Sequence, residues 1–538
     1  MEAGAGSRRA WPAVQWLTAA WALALAYLCL AMNHFWFYDD GFITLRYARH
    51  LVDGLGPQWN RTGVPVEGFS SPLHLVLVAA LLNMGADPIM AVRGLSFAFH
   101  VVLVIFVWNF VRRSSGTEAG VLAAALIAAS WPLLLWDLGG LETVPFCAVA
   151  TVGVMVTLRY LESGARRDIE LGGLLLGVAV FMRPDGAVFA AVALAACLTA
   201  GRRSIRRRIF DVLIGSALCG MMALPWELFR IRYYHAPLPN TYYAKIYGVP
   251  LGWRIHSGLV YWRVYLTKAP YFVLVLAVVV GLMVWKQRVK RFDMAVWACI
   301  AAYALYVLDC GGDHMLGFRF IAPVIPLMAV ALVRGVAQLG WLRTPVRAAA
   351  VSAVLLFMTA RQAGVSLQNP RVRDGAGMFA EEVGRYIDAH WKPGSVVALN
   401  VAGATPYFAD NLNYIDMLGL NDAAIAQRHP VPVNGPWVDL VGHVKGDGAS
   451  VLERRPEFII LGGPVGSLAN YGGRRFLGDD ELMRLPGFAL QYKPCVVPLR
   501  LSDFAYQQLS HWVHDQMVTF TYYQRRDLRE ACTAPATP

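Results

Sequence analysis

Long apolar runs alternate with short polar connections along the first two thirds of the chain. A run of about 17 to 25 apolar residues is long enough to cross the hydrocarbon core of a bilayer as a helix. The pattern predicts eleven transmembrane helices, at residues 11–32, 89–111, 118–136, 143–161, 171–182, 185–200, 209–229, 270–285, 294–309, 320–338 and 347–361. Residues 72–82 are also apolar, but they cover only about half a span. We assign them to a juxtamembrane or re-entrant helix within a first outer loop at residues 33–88.

The pattern changes after residue 361. There a helix-like segment, "MFAEEVGRYIDAH", precedes the short apolar segments "SVVALN", "NYIDM" and "EFIILGG". Helices that alternate with short apolar strands predict a small α/β layer. The sequence therefore predicts two domains, a polytopic α-helical membrane domain at residues 1–361 and a soluble α/β domain at residues 362–538.

Composition and charge also indicate how the chain is oriented in the membrane. The chain is 57% hydrophobic and 16% charged, which lies outside the range of soluble globular proteins. The net charge of +12 does not indicate nucleic-acid binding, because the basic residues form short clusters rather than a stripe. The clusters are Arg8-Arg9, Arg112-Arg113, Arg166-Arg167, residues 202–208, residues 286–291, and Arg343 with Arg347. Since cytoplasmic loops carry an excess of Lys and Arg, the clusters predict a cytoplasmic N-terminus and a periplasmic C-terminal domain.

In this topology the polar connections all fall on the outer face. They include "YDDGFITLRYARHL", "DLGGLETVP", "MRPDG", "LPNTYYAK" and "DCGGDHMLGFRF". Ionisable groups at membrane depth are costly unless they line a cavity and serve a purpose. Five such loops on one side therefore predict a shared site that faces outward.

Seven segments, in this order along nearly the whole chain, resemble the arabinofuranosyltransferase-like branch of the GT-C glycosyltransferases. They are "DDGFITLRYARHLVDGLGPQWN", "VEGFSSPLH", "GLET", "RPDG", "NTYYAK", "GGDHMLGFRFIAPVIPL" and "IDMLGLND". The resemblance implies an enzyme of the bacterial inner membrane that takes a sugar, most simply arabinofuranose, from a polyprenyl-phosphate carrier. The sugar would pass to a cell-envelope glycan or glycolipid acceptor on the periplasmic face. The resemblance also implies that the acidic pair in the first outer loop is the catalytic element.

Two other functions remain open at this stage. One is a polyprenyl-phosphate hexose transferase of the mannosyl or aminoarabinose type, because the loops do not specify the donor sugar. The other is a transporter or flippase for lipid-linked sugars. A transporter is expected to have internal repeats and polar groups near the bilayer midplane, and the sequence shows neither pattern.

Asp39 and Asp40 are the candidate catalytic residues. We expect a helix at residues 41–53 that ends at Gly54, and one of the aspartates could serve as its N-cap. Capping needs only one of them. The other carboxylate would be available to accept the proton of an acceptor hydroxyl as the new glycosidic bond forms.

Candidate residues for the donor phosphate lie in two outer loops. Lys245, with Tyr242 and Tyr243, could balance the charge of the leaving phosphate, although a snorkelling Lys in an aromatic belt would have the same pattern. Arg319 and His314 are the candidates of the second loop. His314 with nearby aspartates could instead bind a divalent metal ion, but scattered ligands without fixed spacing are weak evidence for a metal site.

Candidate residues for the acceptor or the sugar are Glu142, Arg183, Asp185, Asp313 and Glu67. Most of them also have a structural alternative. Glu142 could cap the helix that begins at Thr143, and Arg183 could pair with Asp185 to close a turn that Pro184 makes rigid.

Two of the eight cysteines, Cys495 and Cys532, lie in the predicted outer domain. Two thiols in an oxidising compartment could form a disulfide, although their spacing alone does not show that they meet.

The predicted topology can be tested with reporter fusions. Fusions after residues 115, 205 and 289 should report a cytoplasmic location, and fusions after residues 60, 245 and 315 a periplasmic one. A periplasmic signal from the fusion after residue 115 would contradict the assignment, because residues 72–82 would then form a full span.

Overall fold

The computed structural model describes residues 5–32, 37–201, 203–315, 317–367, 375–432, 442–467, 476–510, 513–528 and 532. The chain divides into two compact units. Unit 1 comprises Met1–His34, Val92–Trp226 and Ile255–Val372, and unit 2 comprises Phe35–Ala91, Glu227–Arg254 and Arg373–Pro538. Unit 2 thus includes two segments that precede residue 361, and the division of the chain at that residue stays a prediction.

Most of the described residues are helical. The helices are α1 (Ala5–Met32), α2 (Asp39–Val52), α3 (Pro72–Asn83), α4 (Pro88–Ser115), α5 (Thr117–Ala128), α6 (Trp131–Leu138), α7 (Thr143–Ser163), α8 (Arg166–Met182), α9 (Gly186–Cys197), α10 (Ile205–Tyr233), α11 (Asn240–Lys245), α12 (Leu251–Lys268), α13 (Pro270–Trp285), α14 (Arg291–Cys310), α15 (Ile325–Gln338), α16 (Pro345–Leu367), α17 (Gly375–His390), α18 (Ala404–Phe408), α19 (Ala423–Ala426), α20 (Gly448–Glu453), α21 (Leu477–Arg484), α22 (Pro486–Gln491) and α23 (Asp503–Leu509), with a 3₁₀ helix at Ala322–Val324. The strands are β1 (Val396–Leu399), β2 (Asn413–Asp416), β3 (Phe458–Ile460), β4 (Tyr492–Arg500) and β5 (Met517–Arg525).

All eleven predicted apolar segments coincide with helices, but not all of these helices have the length of a span. Within the described residues, four helices are long and apolar enough to cross a membrane, and six spans result if each of two bent pairs counts as one. The bent pairs are α5 with α6, at 48°, and α12 with α13, at 92°. The protein is therefore a largely helical, multi-pass membrane protein, and the number of eleven spans stays a prediction. Helix α3 has 12 residues, which is too short for a span, as its sequence indicated.

Helix α12 is an element that the sequence analysis missed. Its 18 residues include several Tyr, Trp, Arg and His side chains, which keep its hydropathy below that of a transmembrane run. The buried face of its unit 1 portion includes Gly258, Tyr261 and Tyr265. A Cβ atom at Gly258 would lie 2.6 Å from the carbonyl oxygen of Leu308, so a glycine allows α12 to approach the end of α14 closely.

The core of unit 1 is organised around α7. Nearly all residues of this helix are buried. It packs along α8 through glycines, because a Cβ atom at Gly172 would lie 2.7 Å from Cα of Thr157. Small residues at such crossings let membrane helices approach closely, since burial of apolar surface does not drive their association in lipid.

Unit 2 contains a five-stranded mixed sheet in the order β2-β1-β3-β5-β4. Strand β1 is parallel to β2 and to β3, whereas β5 is antiparallel to both β3 and β4. Apolar side chains that include Ile415, Ile459 and Tyr523 form a core beneath the sheet. The predicted α/β character of the C-terminal segment is confirmed.

The start of α2 differs from the sequence-based prediction. The helix begins at Asp39 rather than at residue 41, and Tyr38 is the N-cap residue. The expectation that an aspartate caps this helix is therefore wrong, because both aspartates already lie in its first turn. The other end agrees with the prediction, since Gly54 adopts a left-handed conformation with φ +79° directly after the helix.

Cys495 and Cys532 form a disulfide with Cα atoms 5.5 Å apart, which confirms that this pair can meet. The bond ties the end of the chain to β4. The other six cysteines are free thiols.

We expect thiol labelling to reproduce this distribution. After denaturation without a reductant, six of the eight cysteines should react, and all eight should react after reduction. Cys495→Ser should also lower the stability of the outer domain by about 2–4 kcal/mol, because a cross-link restricts the unfolded chain. Intact-mass analysis that finds eight reactive thiols in the unreduced protein would contradict the pairing.

Candidate functional site

The seven resemblance segments fall into two groups, one in each unit. Unit 1 holds "GLET", "RPDG" and "GGDHMLGFRF", and unit 2 holds "DDGF", "VEGF", "NTYYAK" and "IDMLGLND". Within each unit, side-chain contacts connect the segments of the group.

Asp39 has a structural role in unit 2. Its side chain is buried, and its two carboxylate oxygens accept hydrogen bonds from the backbone amides of Gly403, at 3.1 Å, and Ala404, at 2.8 Å. These amides belong to the start of α18, whose own N-cap residue, Gly403, has no side-chain oxygen to offer. A Cβ atom at Gly403 would lie only 2.0 Å from the carbonyl oxygen of Asp39. Asp39 therefore caps a different helix from the one that contains it.

Asp40 has a different environment from its neighbour. It is half-buried, and neither a hydrogen bond nor an ion pair engages its carboxylate within the part of the chain that the structure describes. It occupies the first turn of α2, where the positive end of the helix dipole stabilises an ionised carboxylate. Of the acidic pair, Asp40 is the residue whose carboxylate is available.

The C-terminal half of α2 contacts the C-terminal segment of unit 2 through a charged cluster. Arg46 is fully buried and donates to the carbonyl oxygen of Trp59 at 2.6 Å, while its guanidinium lies 3.0 Å from the carboxylate of Asp410. His50 contacts the same carboxylate at 2.9 Å. Burial alone would raise the pKa of Asp410, but the hydrogen bond from His50 and the charge of Arg46 hold it below its usual value. The cluster thus connects α2 to the segment between α18 and β2.

Glu67 is buried, and its carboxylate pairs with the guanidinium of Arg230. Arg230 also pairs with Glu227, one turn earlier in α10. The carboxylate predicted to contact the acceptor is thus occupied by an ion pair that the sequence analysis did not predict. A Glu and an Arg three residues apart near the end of α10 were the available signal.

Asn240 and Tyr47 connect the remaining segments of unit 2. The amide of the Asn240 side chain donates to the carbonyl oxygens of Gly419 and Leu420, both at 2.8 Å. The Tyr47 hydroxyl donates to the carbonyl oxygen of Val66 at 2.6 Å and lies 3.1 Å from the side-chain oxygen of Asn421. The "DDGF", "VEGF", "NTYYAK" and "IDMLGLND" segments thus form one connected structure.

Lys245 is the last residue of α11, a helix of six residues. It is half-buried, and its side chain passes Gly442, where a Cβ atom would lie 3.5 Å from Cδ of the lysine. The rings of Tyr242 and Tyr243 meet edge to face at 5.5 Å. The structure places the three predicted residues on one short element.

Arg183 is the centre of the polar cluster in unit 1. Its guanidinium donates to both carboxylate oxygens of Asp185, at 3.0 and 2.9 Å, and to Glu142 at 3.3 Å. The Tyr303 hydroxyl donates to Asp185 at 2.6 Å. All four side chains are buried. Tyr303 was missed by the sequence analysis, because a tyrosine within a transmembrane run has no distinguishing local pattern.

The structural alternatives for these residues have different outcomes. The ion pair between Arg183 and Asp185 is present. Glu142 is the N-cap residue of α7, but its side chain makes no capping hydrogen bond, so the capping alternative is wrong for its carboxylate, which faces Arg183 instead.

The second loop of this cluster contains Asp313, His314 and Arg319. Nε of Arg319 lies 2.9 Å from the carboxylate of Asp313, and Nδ1 of His314 lies 3.3 Å from it. The guanidinium carbons of Arg183 and Arg319 each lie 5.2 Å from the ring centroid of Phe320. Unit 1 therefore brings together all six of its predicted site residues. Among the described residues, no group of three or more His, Cys, Asp or Glu side chains is arranged to hold a metal ion.

The structure has the architecture of solved membrane glycosyltransferases. ArnT from Cupriavidus metallidurans aligns with a TM-score of 0.54 when bound to undecaprenyl phosphate and 0.51 in the apo state, at 14% identity, over 94% of this chain and 97% of that chain. An oligosaccharyltransferase from Archaeoglobus fulgidus, in complex with Zn and sulfate, aligns at 0.50 and 12% identity over 74% of this chain and 62% of that one. The chain has the GT-C fold.

Sequence comparisons agree with this GT-C assignment, and the resemblance found in the sequence is confirmed. Residues 70–228 match a family described as dolichyl-phosphate-mannose-protein mannosyltransferase, and residues 367–521 match a domain of unknown function (DUF8728). The terminal beta-(1->2)-arabinofuranosyltransferase of Mycobacterium tuberculosis is 28% identical over 376 residues, which cover 58% of this chain. The chain spans 54% of the length of that relative.

The two aspartates should differ in their effect on stability. Asp39→Asn places an NH₂ group where an oxygen accepted a backbone amide, so we expect the free energy of unfolding to fall by about 1–3 kcal/mol. Asp40→Asn should change it by less than about 0.5 kcal/mol. Thermal unfolding in detergent measures both, and equal melting temperatures for the two variants would contradict the assignment of Asp39 as a structural residue.

Proposed function

We propose that this protein is an integral membrane glycosyltransferase that transfers a sugar from a polyprenyl-phosphate donor to a hydroxyl group of a cell-envelope glycan. The GT-C fold and the two sequence matches support this reaction class. The observation that carries the proposal is the unequal environment of the acidic pair: Asp39 is bound by two amides, whereas the carboxylate of Asp40 is available.

In this reaction Asp40 acts as the general base. As the acceptor oxygen bonds to the anomeric carbon, its proton passes to the Asp40 carboxylate, and the bond from that carbon to the phosphate oxygen breaks. The leaving group is the polyprenyl phosphate anion. Asp40 lies in the first turn of α2, close to the positive end of the helix dipole. The structural role of Asp39 keeps Asp40 in place, because the two residues are adjacent on one helix.

The leaving phosphate requires a cation, and we assign Lys245 to this role with Tyr242 and Tyr243 beside it. A charge that develops in the transition state is stabilised most by groups that are already in position, and Lys245 ends a short helix packed against the outer domain. Arg319, with His314, is the second candidate. Its guanidinium is already paired with Asp313, so binding of a phosphate would require an exchange of partner.

Contacts with the sugar or the acceptor are assigned to the cluster of unit 1. Glu142, Asp185 and Asp313 supply three carboxylates against the two guanidinium groups of Arg183 and Arg319. This balance suits neutral hydroxyl groups better than a second phosphate. Glu67 is assigned a structural role, because its carboxylate is buried against Arg230.

We propose arabinofuranose as the donor sugar, since the relative with 28% identity is named for that transfer. A hexose donor is the second candidate, because residues 70–228 match a family described as a mannosyltransferase. The proposed location is the bacterial inner membrane, with eleven spans, a cytoplasmic N-terminus and a periplasmic C-terminal domain.

Asp40→Asn should abolish most of the transfer without preventing insertion or donor binding. Asparagine keeps the size of the side chain but cannot accept the proton, so the rate should fall about 10²- to 10⁴-fold. The assay is transfer from synthetic polyprenyl-phosphate arabinose or mannose by purified protein, with product analysis by mass spectrometry. It also identifies the donor sugar.

Asp53→Asn is the matched control, because Asp53 is an exposed aspartate at the other end of the same helix. It should leave the rate unchanged. If Asp40→Asn transfers sugar as fast as this control, Asp40 is not the base, and the search moves to Glu142, Asp185 or Asp313.

A further inference from the structure

Lys445 is a fully buried lysine in unit 2 that the proposed function has not yet used. Its ammonium donates to the carbonyl oxygen of Arg428 at 2.7 Å and lies 5.7 Å from the ring centroid of Tyr247. No carboxylate pairs with it among the residues described in the structure. The carboxylate of Glu481 forms a bidentate ion pair with the Arg428 guanidinium, at 2.6 and 2.7 Å.

A buried ammonium without a counter-ion is costly, because the energy of desolvation is not offset by an opposite charge. Burial, followed by the nearby charge of Arg428, lowers the pKa of Lys445 to about 8. Binding of an anion next to the Lys445 ammonium would therefore supply the missing opposite charge.

The position of Lys445 connects it to the proposed donor site. Tyr247, whose ring the ammonium contacts, follows α11 and lies against Tyr243 at 5.8 Å between ring centroids. Lys245 passes Gly442, three residues before Lys445. The buried side chains of Val249 and Val444 pack together and hold the two segments in contact. Lys245 and Lys445 therefore lie on two segments that are in contact with each other.

We propose that Lys445 is a second phosphate-binding residue, which acts with Lys245 to hold the phosphate of the polyprenyl donor. The inference rests on the proposed function and adds a residue from the outer domain to the donor site. Binding requires the Tyr247 side chain, 41% exposed, to move from the ammonium so that the phosphate can replace it. Two ammonium groups on one phosphate would stabilise the charge of the leaving group as the sugar is transferred.

The first test measures the Kd of undecaprenyl phosphate for the full-length protein in detergent. Lys445→Met removes the charge at similar volume, and we expect Kd to rise about 10- to 100-fold, the value for loss of a charged hydrogen-bonding partner. Lys392→Met is the matched control, because Lys392 is an exposed lysine of the same unit, and its Kd should equal that of the wild type. Inorganic phosphate is the second probe: if it competes fully at millimolar concentration, the site recognises free phosphate rather than the lipid carrier, and the donor assignment is overturned.

The second test does not require a variant. Because the protonated lysine binds the phosphate, the affinity of the wild type for undecaprenyl phosphate should fall as the pH rises from 7 to 9 through the pKa of Lys445. Among the described residues, the groups next to this ammonium are the carbonyl oxygen of Arg428, the Tyr247 ring and the charge of the Arg428 guanidinium. In Lys445→Met the Kd should be independent of pH over the same interval.

The two proposals fail in different ways. If the wild type does not bind undecaprenyl phosphate, the proposed function is wrong. If the wild type binds it, and Lys445→Met binds it equally well with the same pH dependence, the function stands and Lys445 is only a structural residue.

Discussion

The contact between the Asp39 carboxylate and the amides of Gly403 and Ala404 is the constraint on which the candidate site depends. It joins α2 to the start of α18, although more than 360 residues separate them. Protonation of a buried carboxylate whose two oxygens each accept an amide would weaken these bonds, and a hydrogen bond to a charged group is worth about 1.5–3 kcal/mol. The two adjacent aspartates therefore have different roles. One maintains the structure, and the other remains free for chemistry.

Further buried charges also connect distant segments of unit 2. The buried guanidinium of Arg46 connects α2 to the segment that contains Asp410. The buried guanidinium of Arg230 connects α10 to Glu67. Breaking such a pair by removing one partner is strongly destabilising, because it leaves an uncompensated charge in a medium of low polarity. Unit 2 is therefore a rigid support for Asp40, and a rigid support is what a general base needs if it is to meet its proton at hydrogen-bond distance.

The cluster of unit 1 differs in chemistry from that of unit 2. Its guanidinium groups are already matched by carboxylates, and the Tyr303 hydroxyl completes the hydrogen bonding of Asp185. In unit 2, Lys445 donates to a backbone carbonyl and has no acidic partner within the described residues. This environment is the reason to add Lys445 to the proposed phosphate site of unit 2.

Much of this protein could be predicted from its sequence. Apolar runs gave the helices of the membrane domain, because a chain in lipid must satisfy its backbone hydrogen bonds internally. The alternation of a helix-like segment with short apolar segments after residue 361 indicated an α/β layer, and the polar connections contain the candidate residues. The sequence could not show that α2 begins at Asp39, that this aspartate caps α18, or that Arg230 neutralises Glu67. Those facts depend on contacts between residues far apart in the chain, and local patterns contain no information about them. Two adjacent aspartates are chemically identical in the sequence, and only the tertiary structure, by placing backbone amides next to one of them, makes them different.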